Sequence, residues 1–162
     1  MMNRGLSGEG RHEAVEQVVR GRVDPQFKVS CTSVEVRKKM FRLAIPILGV
    51  SNSAAAEDFY CRQLGFQRVF VYRPVANALD PCWMDVVRDG AHIVLSSFAG
   101  DGPPGSRNLQ ILIDDAPGVH REYEAAAVTG LGGITDQTWG NLEFGVKDPD
   151  GNSIIFAQSK GS

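Results

Sequence analysis

The pattern of apolar and polar positions along the chain repeats once. The first copy is an apolar strand, a helix and three strands, predicted at residues 42–50, 54–64, 66–72, 82–88 and 92–98. The second copy has the same order, predicted at residues 108–113, 115–128, 134–138, 141–147 and 153–158. A period of roughly 60 residues that occurs only twice argues against a solenoid. The pattern predicts two βαβββ modules.

Glycines and short polar turns separate these elements. Gly65 and Gly130 stand where a left-handed residue would end each helix. Residues 89–90 are Asp-Gly, which is a strong hairpin signal. Residues 148–151 have the composition of a tight turn, and residues 99–107 are rich in glycine and proline. The last segment is therefore predicted to link the modules.

These elements predict an α+β fold with two modules, residues 42–98 and 107–158, in one domain over residues 41–158. Two such modules form paired curved mixed sheets around a cavity, and clefts of this kind are common ligand sites. Residues 1–40 lie outside the repeat. Their first ten residues are polar and glycine-rich, so we expect a partly disordered N-terminal appendage.

Charge and composition exclude several classes of function. The whole chain has a net charge of −2, but residues 1–40 carry eight basic and five acidic residues, whereas residues 41–162 carry nine and fourteen. An acidic domain argues against nucleic acid, which is bound through cationic contacts to phosphate. No apolar run approaches the roughly 20 residues of a membrane span. Three cysteines without a zinc spacing are typical of reduced thiols, and we expect a cytoplasmic protein that does not contact membranes.

Several motifs resemble one superfamily, the glyoxalase / bleomycin resistance / extradiol dioxygenase proteins, also called vicinal oxygen chelate proteins. The motifs are Leu48-Gly-Val-Ser-Asn52, Phe59-Tyr60, Leu64-Gly-Phe66, Trp139-Gly140 and Phe144-Gly-Val-Lys-Asp-Pro-Asp-Gly-Asn152. The resemblance covers about residues 41–158 and has the motifs in the expected order. It implies the same two-module fold, which hosts both enzymes and binding proteins.

In the enzymes of this superfamily, His and Glu side chains on four strands hold a divalent metal ion. The resemblance places those positions at Ile45, Val94, Asn108 and Ile155. Three of these side chains are aliphatic and one is an amide, whereas catalytic transition metals prefer imidazole, thiolate or carboxylate. A shift by two residues keeps a strand face and offers only His92. We therefore expect no metal, no other cofactor and no catalytic residue.

The resemblance is closest to the metal-free bleomycin resistance proteins. In these proteins two subunits pair and stack a flat cationic antibiotic on aromatic side chains without changing it. Phe70 and Trp139 fall on aromatic positions of that groove. Ser106 stands where the family has another groove tryptophan, which argues against bleomycin itself. The resemblance implies a homodimer that sequesters an antibiotic or another aromatic or cationic compound.

The candidate ligand-binding residues are Phe70, Trp83, His92, Asn108, Trp139 and Glu143. By pattern alone, Phe70 is typical of a core residue and Glu143 of an exposed one, while Trp83 fits either place. Two other functions stay open. One is a metal-dependent glyoxalase- or dioxygenase-type lyase or isomerase with divergent ligands, and the other is an interaction module that docks a partner through residues 1–40.

Overall fold

The computed structural model describes residues 42–161, which contain eight strands and a few short helices. The strands are β1 Ile47–Gly49, β2 Gln67–Tyr72, β3 Trp83–Arg88, β4 Ala91–Ser96, β5 Asn108–Leu112, β6 Thr135–Asp136, β7 Asn141–Lys147 and β8 Ser153–Ser159. They form two separate four-stranded sheets, ordered β1-β4-β3-β2 and β5-β8-β7-β6. The expectations for residues 1–40 lie outside the described residues.

Both sheets have the same mixed topology. The first strand of each module pairs in parallel with the last, β1 with β4 and β5 with β8. The remaining pairs within each sheet are antiparallel. Between the two strands of each parallel pair the chain forms a helix and two further strands, which supplies the long crossover that parallel pairing needs. The predicted α+β fold of two βαβββ modules is confirmed.

Each module carries one principal helix, and local side chains explain where it begins. In the first module α1 spans Ser53–Glu57 and continues as a π-helical turn over Asp58–Gln63. The Asn52 side chain caps it by accepting a hydrogen bond from the amide of Ala55 at 2.9 Å. In the second module α2 spans Ala116–Ala125 and is capped by Asp115. Both helices lie where the sequence predicts them.

The residue that ends α2 differs from the prediction. Gly130 has a positive φ of 74°, but α2 has already stopped at Ala125. The left-handed residue of the helix terminus is Ala127, with a φ of 50°. The amide of Val128 donates to the carbonyl of Tyr123 at 3.0 Å, which is the closing bond of a Schellman motif. Because this left-handed position is occupied by alanine and not by glycine, the residue types near the helix end do not predict where α2 stops.

Strand β1 is much shorter than the predicted strand over residues 42–50. It begins at Ile47, directly after Pro46. Proline has no amide hydrogen to donate to a ladder, although the Pro46 carbonyl still accepts a bond from Val94 at 2.9 Å. The preceding residues therefore lie outside the sheet, and the first half of β4 has no neighbour on that side among the described residues.

The helix-facing sides of both sheets share one apolar core. In the first module it contains Leu48, Phe59, Tyr60, Met84, Val86, Ile93 and Leu95. In the second it contains Tyr123, Phe144, Val146, Ile154 and Phe156. Each sheet therefore has one face packed against a helix and one face directed away from it, which we call the open face.

A buried group of polar side chains fastens the second module to the first. Asn152 is fully buried, and its side-chain amide donates to the Gly49 carbonyl at 2.9 Å and to Asp148 at 2.8 Å. Tyr60 of the first module donates its hydroxyl to the same Asp148 carboxylate at 3.0 Å. This polar joint lies at the turn between β7 and β8, where a structural turn was predicted.

Among the described residues, none of the helices has the length and apolar character needed to cross a membrane.

Candidate functional site

The open face of the first sheet carries aromatic and polar side chains in register. Antiparallel and parallel pairing brings them into two rows, because side chains on one strand share a face at every second residue. The rows are Phe70, Asp85, Val94, Ile47 and Tyr72, Trp83, Ser96, Gly49. Phe70 and Trp83, which the sequence offers as ligand-binding residues, are thus brought to the same face.

Part of this face forms an aromatic pocket of ≈ 410 Å³, lined by Phe70, Tyr72, Trp83, Phe98 and Asp101. The rings of Tyr72 and Phe98 are nearly parallel, with centroids 6.4 Å apart and an interplanar angle of 7°. Phe70 and Tyr72 are each 53% exposed, so their rings are not packed in the core. Large, rigid rings left open in this way present stacking surfaces to a ligand.

Asp101 places one carboxylate in the wall of the aromatic pocket. It lies in a short 3₁₀ turn, Ala99–Asp101, directly after Phe98. The hydroxyl of Ser96 donates to Asp101 Oδ2 at 2.5 Å, which fixes the orientation of the acid. An acid beside several aromatic faces is an arrangement suited to a cation.

Asp85 holds its two neighbours on the open face. Its Oδ1 accepts the indole N–H of Trp83 at 2.9 Å, and its Oδ2 lies 3.2 Å from His92 Nε2. The Trp83 ring is therefore oriented by a side chain that does not line the aromatic pocket itself. His92 is oriented in the same way, but it points to a different cavity.

That second cavity is a cleft of ≈ 730 Å³ between the two modules. His92 and Ile93 of the first module line it opposite Leu109, Gln110 and Ile111 of the second. Its other walls combine aliphatic and aromatic side chains with four charged ones, Arg88, Asp89, Asp114 and Asp115. A cavity between the sheets was expected from the repeat, and His92 lies at this junction rather than in the aromatic pocket.

On the open face of the second sheet, Glu143 is the centre of a polar group. Its side-chain Oε1 accepts the indole N–H of Trp139 at 3.0 Å, an amide hydrogen of Asn141 at 3.0 Å and one of Gln110 at 3.4 Å. Glu143 is only 7% exposed, so the expectation of an exposed acid is wrong. Trp139 is 67% exposed, and its ring forms an open wall beside the carboxylate.

The four positions at which metal-dependent relatives would place ligands do not suit a metal here. Val94 and Ile155 lie on the open faces of β4 and β8, and neither has a donor atom in its side chain. Ile45 precedes β1, and Asn108 begins β5. Within residues 42–161, no three His, Cys, Asp or Glu side chains are grouped so that they could hold an ion. The residues present do not fit a divalent metal.

The two cysteines of the described segment are not poised for nucleophilic chemistry. Burial raises the pKa of both the Cys61 and the Cys82 thiol. A raised pKa leaves less of the reactive thiolate at neutral pH. Cys82 is also fully enclosed in the core.

The predicted site residues thus fall into three groups and one outlier. Phe70 and Trp83 meet in the aromatic pocket, Trp139 and Glu143 form a bonded pair, and His92 faces the cleft. Asn108 is exposed at the start of β5 and lines neither cavity.

Sequence reasoning missed Tyr72, Phe98 and Asp101, which complete the aromatic pocket. The signal for Tyr72 was available, because it lies two residues after Phe70 on the same strand. Phe98 and Asp101 lie beyond the end of β4, where strand periodicity no longer applies.

A family model described as Glyoxalase/Bleomycin resistance protein/Dioxygenase superfamily matches residues 42–156. No curated protein matches the chain.

Solved structures of the same fold match about three-quarters of the chain. One is a glyoxalase/bleomycin resistance protein from Streptomyces sp. CB03234, which is 28% identical, with a TM-score of 0.60 over 72% of this chain and 100% of that one. TnmS3, an antibiotic binding protein from Streptomyces sp. CB03234, is 27% identical, with a TM-score of 0.61 over 75% and 98%. The bleomycin-binding protein of Streptomyces verticillus, solved with copper(II)-bleomycin, is 22% identical, with a TM-score of 0.56 over 75% and 98%; at this identity it supports the fold alone.

Proposed function

Because the chain belongs to the Glyoxalase/Bleomycin resistance protein/Dioxygenase superfamily, we propose that it binds a small aromatic compound with a positive charge and releases it unchanged. The aromatic pocket of the first sheet is the observation that carries this proposal. There Phe70, Tyr72, Trp83 and Phe98 surround space beside a single carboxylate, that of Asp101.

The pocket has the physical properties that such a ligand requires. Its volume of ≈ 410 Å³ is within the range of small-molecule sites, which begins at roughly 300 Å³. A flat ring that stacks on these side chains gains about 0.5–1.5 kcal/mol for each aromatic pair beyond the burial of its area. A positive charge adds a cation–π contribution of about 0.5–2 kcal/mol and attraction to Asp101. The net negative charge of residues 41–162 favours the same ligand.

Binding without chemistry is the mechanism that these residues support. The positions that carry metal ligands in the enzymes hold Ile45, Val94, Asn108 and Ile155, so these four positions offer no suitable ligands for a Lewis-acid metal. No step routed through a metal is proposed. The alternative of a metal-dependent lyase or isomerase is tested by elemental analysis of protein purified without chelator, where a stoichiometric transition metal would favour the enzyme.

Sequestration of an antibiotic is the biological form of this proposal. TnmS3, a protein 27% identical to this chain, is described as an antibiotic binding protein. A protein that holds a drug in stoichiometric amounts lowers its free concentration, which requires high affinity and sufficient protein but no turnover. We propose the same role here, in the cytoplasm and for a ligand other than bleomycin.

A homodimer is part of the proposal. Several large apolar side chains of the described segment are exposed, including Leu43, Ile47 and Leu112, the last of them 76% exposed. Leu43 and Leu112 both border the cleft between the modules, and a contiguous apolar patch favours a protein interface over solvent. Light scattering coupled to size-exclusion chromatography tests this, and a monomeric mass at micromolar concentration would contradict it.

The binding experiment uses calorimetry with bleomycin and a panel of flat aromatic cations against the full chain. At least one cation should bind with a Kd at or below about 1 μM, which corresponds to roughly 8 kcal/mol. Phe70→Ala should weaken binding about tenfold or more. Val69→Ala is the matched control, because Val69 is an exposed neighbour on the same strand that does not line the pocket.

Mass spectrometry of the ligand recovered after prolonged incubation completes the test. The proposal predicts an unaltered mass. Absence of heat with every aromatic cation, or an effect of Val69→Ala as large as that of Phe70→Ala, would remove the pocket from consideration.

A further inference from the structure

Ser96 holds two walls of the aromatic pocket at the same time. It is the last residue of β4 and is only 1% exposed. Its hydroxyl donates to Asp101 Oδ2 at 2.5 Å, and its oxygen accepts the backbone N–H of Phe98 at 3.2 Å. A hydroxyl has one hydrogen to donate, and the bond to Asp101 uses it. The acid of the pocket and one of its rings are therefore fixed by the same buried side chain.

The turn that carries Asp101 is fixed by its backbone as well. The amide of Asp101 donates to the Phe98 carbonyl at 3.1 Å, which closes the 3₁₀ turn. Gly49 is the neighbour of Ser96 on β1, and a Cβ atom built on Gly49 would lie 2.6 Å from the carbonyl oxygen of Gly102. The turn approaches β1 this closely because residue 49 has no side chain. Asp101 is thus held over the open face of the first sheet.

Only one oxygen of the Asp101 carboxylate is engaged. Oδ2 accepts from Ser96, whereas Oδ1 receives no hydrogen bond from residues 42–161. No lysine, arginine or histidine nitrogen of this segment lies within 4.0 Å of the carboxylate. No fully buried side-chain oxygen there lacks a partner, so Oδ1 is reached by solvent. The acid therefore offers one acceptor to a molecule in the pocket.

The hydrogen-bond donors of three pocket-side residues are used within the protein. The indole N–H of Trp83 goes to Asp85, the hydroxyl of Ser96 to Asp101, and the backbone N–H of Phe98 to Ser96. A ligand that needs to accept a hydrogen bond finds none of these donors free, and breaking one of the bonds would leave a polar group unpaired. These residues therefore favour a ligand that donates a hydrogen bond.

Building on the function proposed above, we propose that the ligand is an aromatic tertiary amine in its protonated form, which donates its single N–H to Asp101 Oδ1. One N–H matches one free oxygen, and a hydrogen bond between two charged groups is about twice as strong as a neutral one. An amidinium would direct a second N–H towards Oδ2, which Ser96 already occupies. A quaternary ammonium has no N–H and retains only the attraction of its charge to the rings and to the acid.

Calorimetry with two naphthyl cations tests this on the full chain at pH 7. N,N-dimethyl-2-naphthylmethylamine and its N-methylated quaternary ammonium carry the same ring system and one positive charge, but only the tertiary amine has an N–H. The tertiary amine should bind with a Kd at least tenfold lower. Equal Kd values would overturn this inference and leave the proposed function standing, whereas binding of neither cation would contradict both.

Asp101→Ala separates the hydrogen bond from the bulk of the additional methyl group. Without the carboxylate, the tenfold preference for the tertiary amine should disappear. Asp114→Ala is the matched control, because it removes one exposed acid that borders the cleft and not the aromatic pocket. This control should keep the preference. A preference that survives Asp101→Ala, or that is lost equally in Asp114→Ala, would overturn the proposal.

Ser96→Ala tests whether the hydroxyl restricts the acid to one free oxygen. With Ser96 replaced, both oxygens of Asp101 are open, and 2-naphthamidine can donate two parallel N–H bonds to them. The ratio of amidine affinity to tertiary amine affinity should therefore rise at least fivefold over the wild type. Circular dichroism confirms that the variant is folded. A general loosening of the pocket would weaken both ligands alike, so an unchanged ratio in the folded variant would show that Ser96 does not set the specificity.

Discussion

Replacing Asp148 by asparagine should destabilise the protein severely through the polar joint between the modules. Asp148 Oδ1 accepts the amides of Asp150 at 3.0 Å and Asn152 at 2.8 Å. Its Oδ2 accepts the Tyr60 hydroxyl at 3.0 Å and the Asn152 side chain at 2.8 Å. An asparagine NH₂ at the second position would face two donors and accept from neither.

The magnitude follows from these bonds. Hydrogen bonds to a charged group contribute about 1.5–3 kcal/mol each, and a buried donor left without an acceptor costs about 1–3 kcal/mol. Two lost bonds, partly offset by movement of the turn, give an expected loss of about 3 kcal/mol for Asp148→Asn. Tyr60→Phe removes one donor and leaves no polar atom unpaired on the tyrosine side, so it should cost only about 1 kcal/mol.

Urea unfolding followed by far-ultraviolet circular dichroism measures both variants. The slope of free energy against urea should be unchanged, because the surface exposed on unfolding is the same. In the double variant the two effects should be non-additive, because both residues share one bond. A loss below about 1 kcal/mol for Asp148→Asn, or a larger loss for Tyr60→Phe, would refute the reasoning.

Three further predictions concern the helix terminus, alkaline pH and the tryptophans. Ala127→Gly should raise the unfolding free energy by roughly 0.5–1 kcal/mol, because glycine adopts the left-handed conformation of this position without steric strain. Ala126→Gly is the control, since Ala126 has a φ of −79° and glycine should bring no gain there. Thermal melting of both variants distinguishes the outcomes. Burial raises the pKa of Tyr123 from 10.0 to about 12, so its contribution to stability is intact below pH 10 and declines as the pH rises through 12. Urea midpoints that stay level across this interval would contradict it. Ligands of the aromatic pocket should quench the fluorescence of Trp83, so quenching should persist in Trp139→Phe and vanish in Trp83→Phe. The reverse pattern would show that the ligands bind to the second sheet, beside Trp139.

Most of the fold could be predicted because it depends on periodicity. Alternation in β7 and short apolar runs between turns in β4 and β8 predict these segments as strands, and the duplicated order predicts two modules. The start of β1 and the end of α2 could not be predicted, because each depends on a single backbone group. The missing amide hydrogen of Pro46 shortens β1, and Ala127 ends α2 in a conformation that local composition does not favour.

The candidate site could be predicted only in part, because it depends on tertiary contacts. Phe70 has the hydrophobicity of a core residue, and only the register of β2 against β3 places it on the open face. Phe98 joins the aromatic pocket from a loop that follows no period. Glu143 reads as a surface acid, and its burial follows from three N–H donors, one of which, Gln110, is 33 residues away in sequence.

The polar joint has a consequence for how this scaffold diversifies. Asn152 and Tyr60 connect the halves of the molecule from the turn and the helix side, and neither lies among the residues that line the aromatic pocket or surround Glu143. Assembly and recognition therefore rest on separate sets of residues. Proteins that evolve from this scaffold can therefore change ligand by substitutions on the open faces of the sheets, while the hydrogen bonds that join the two modules are retained.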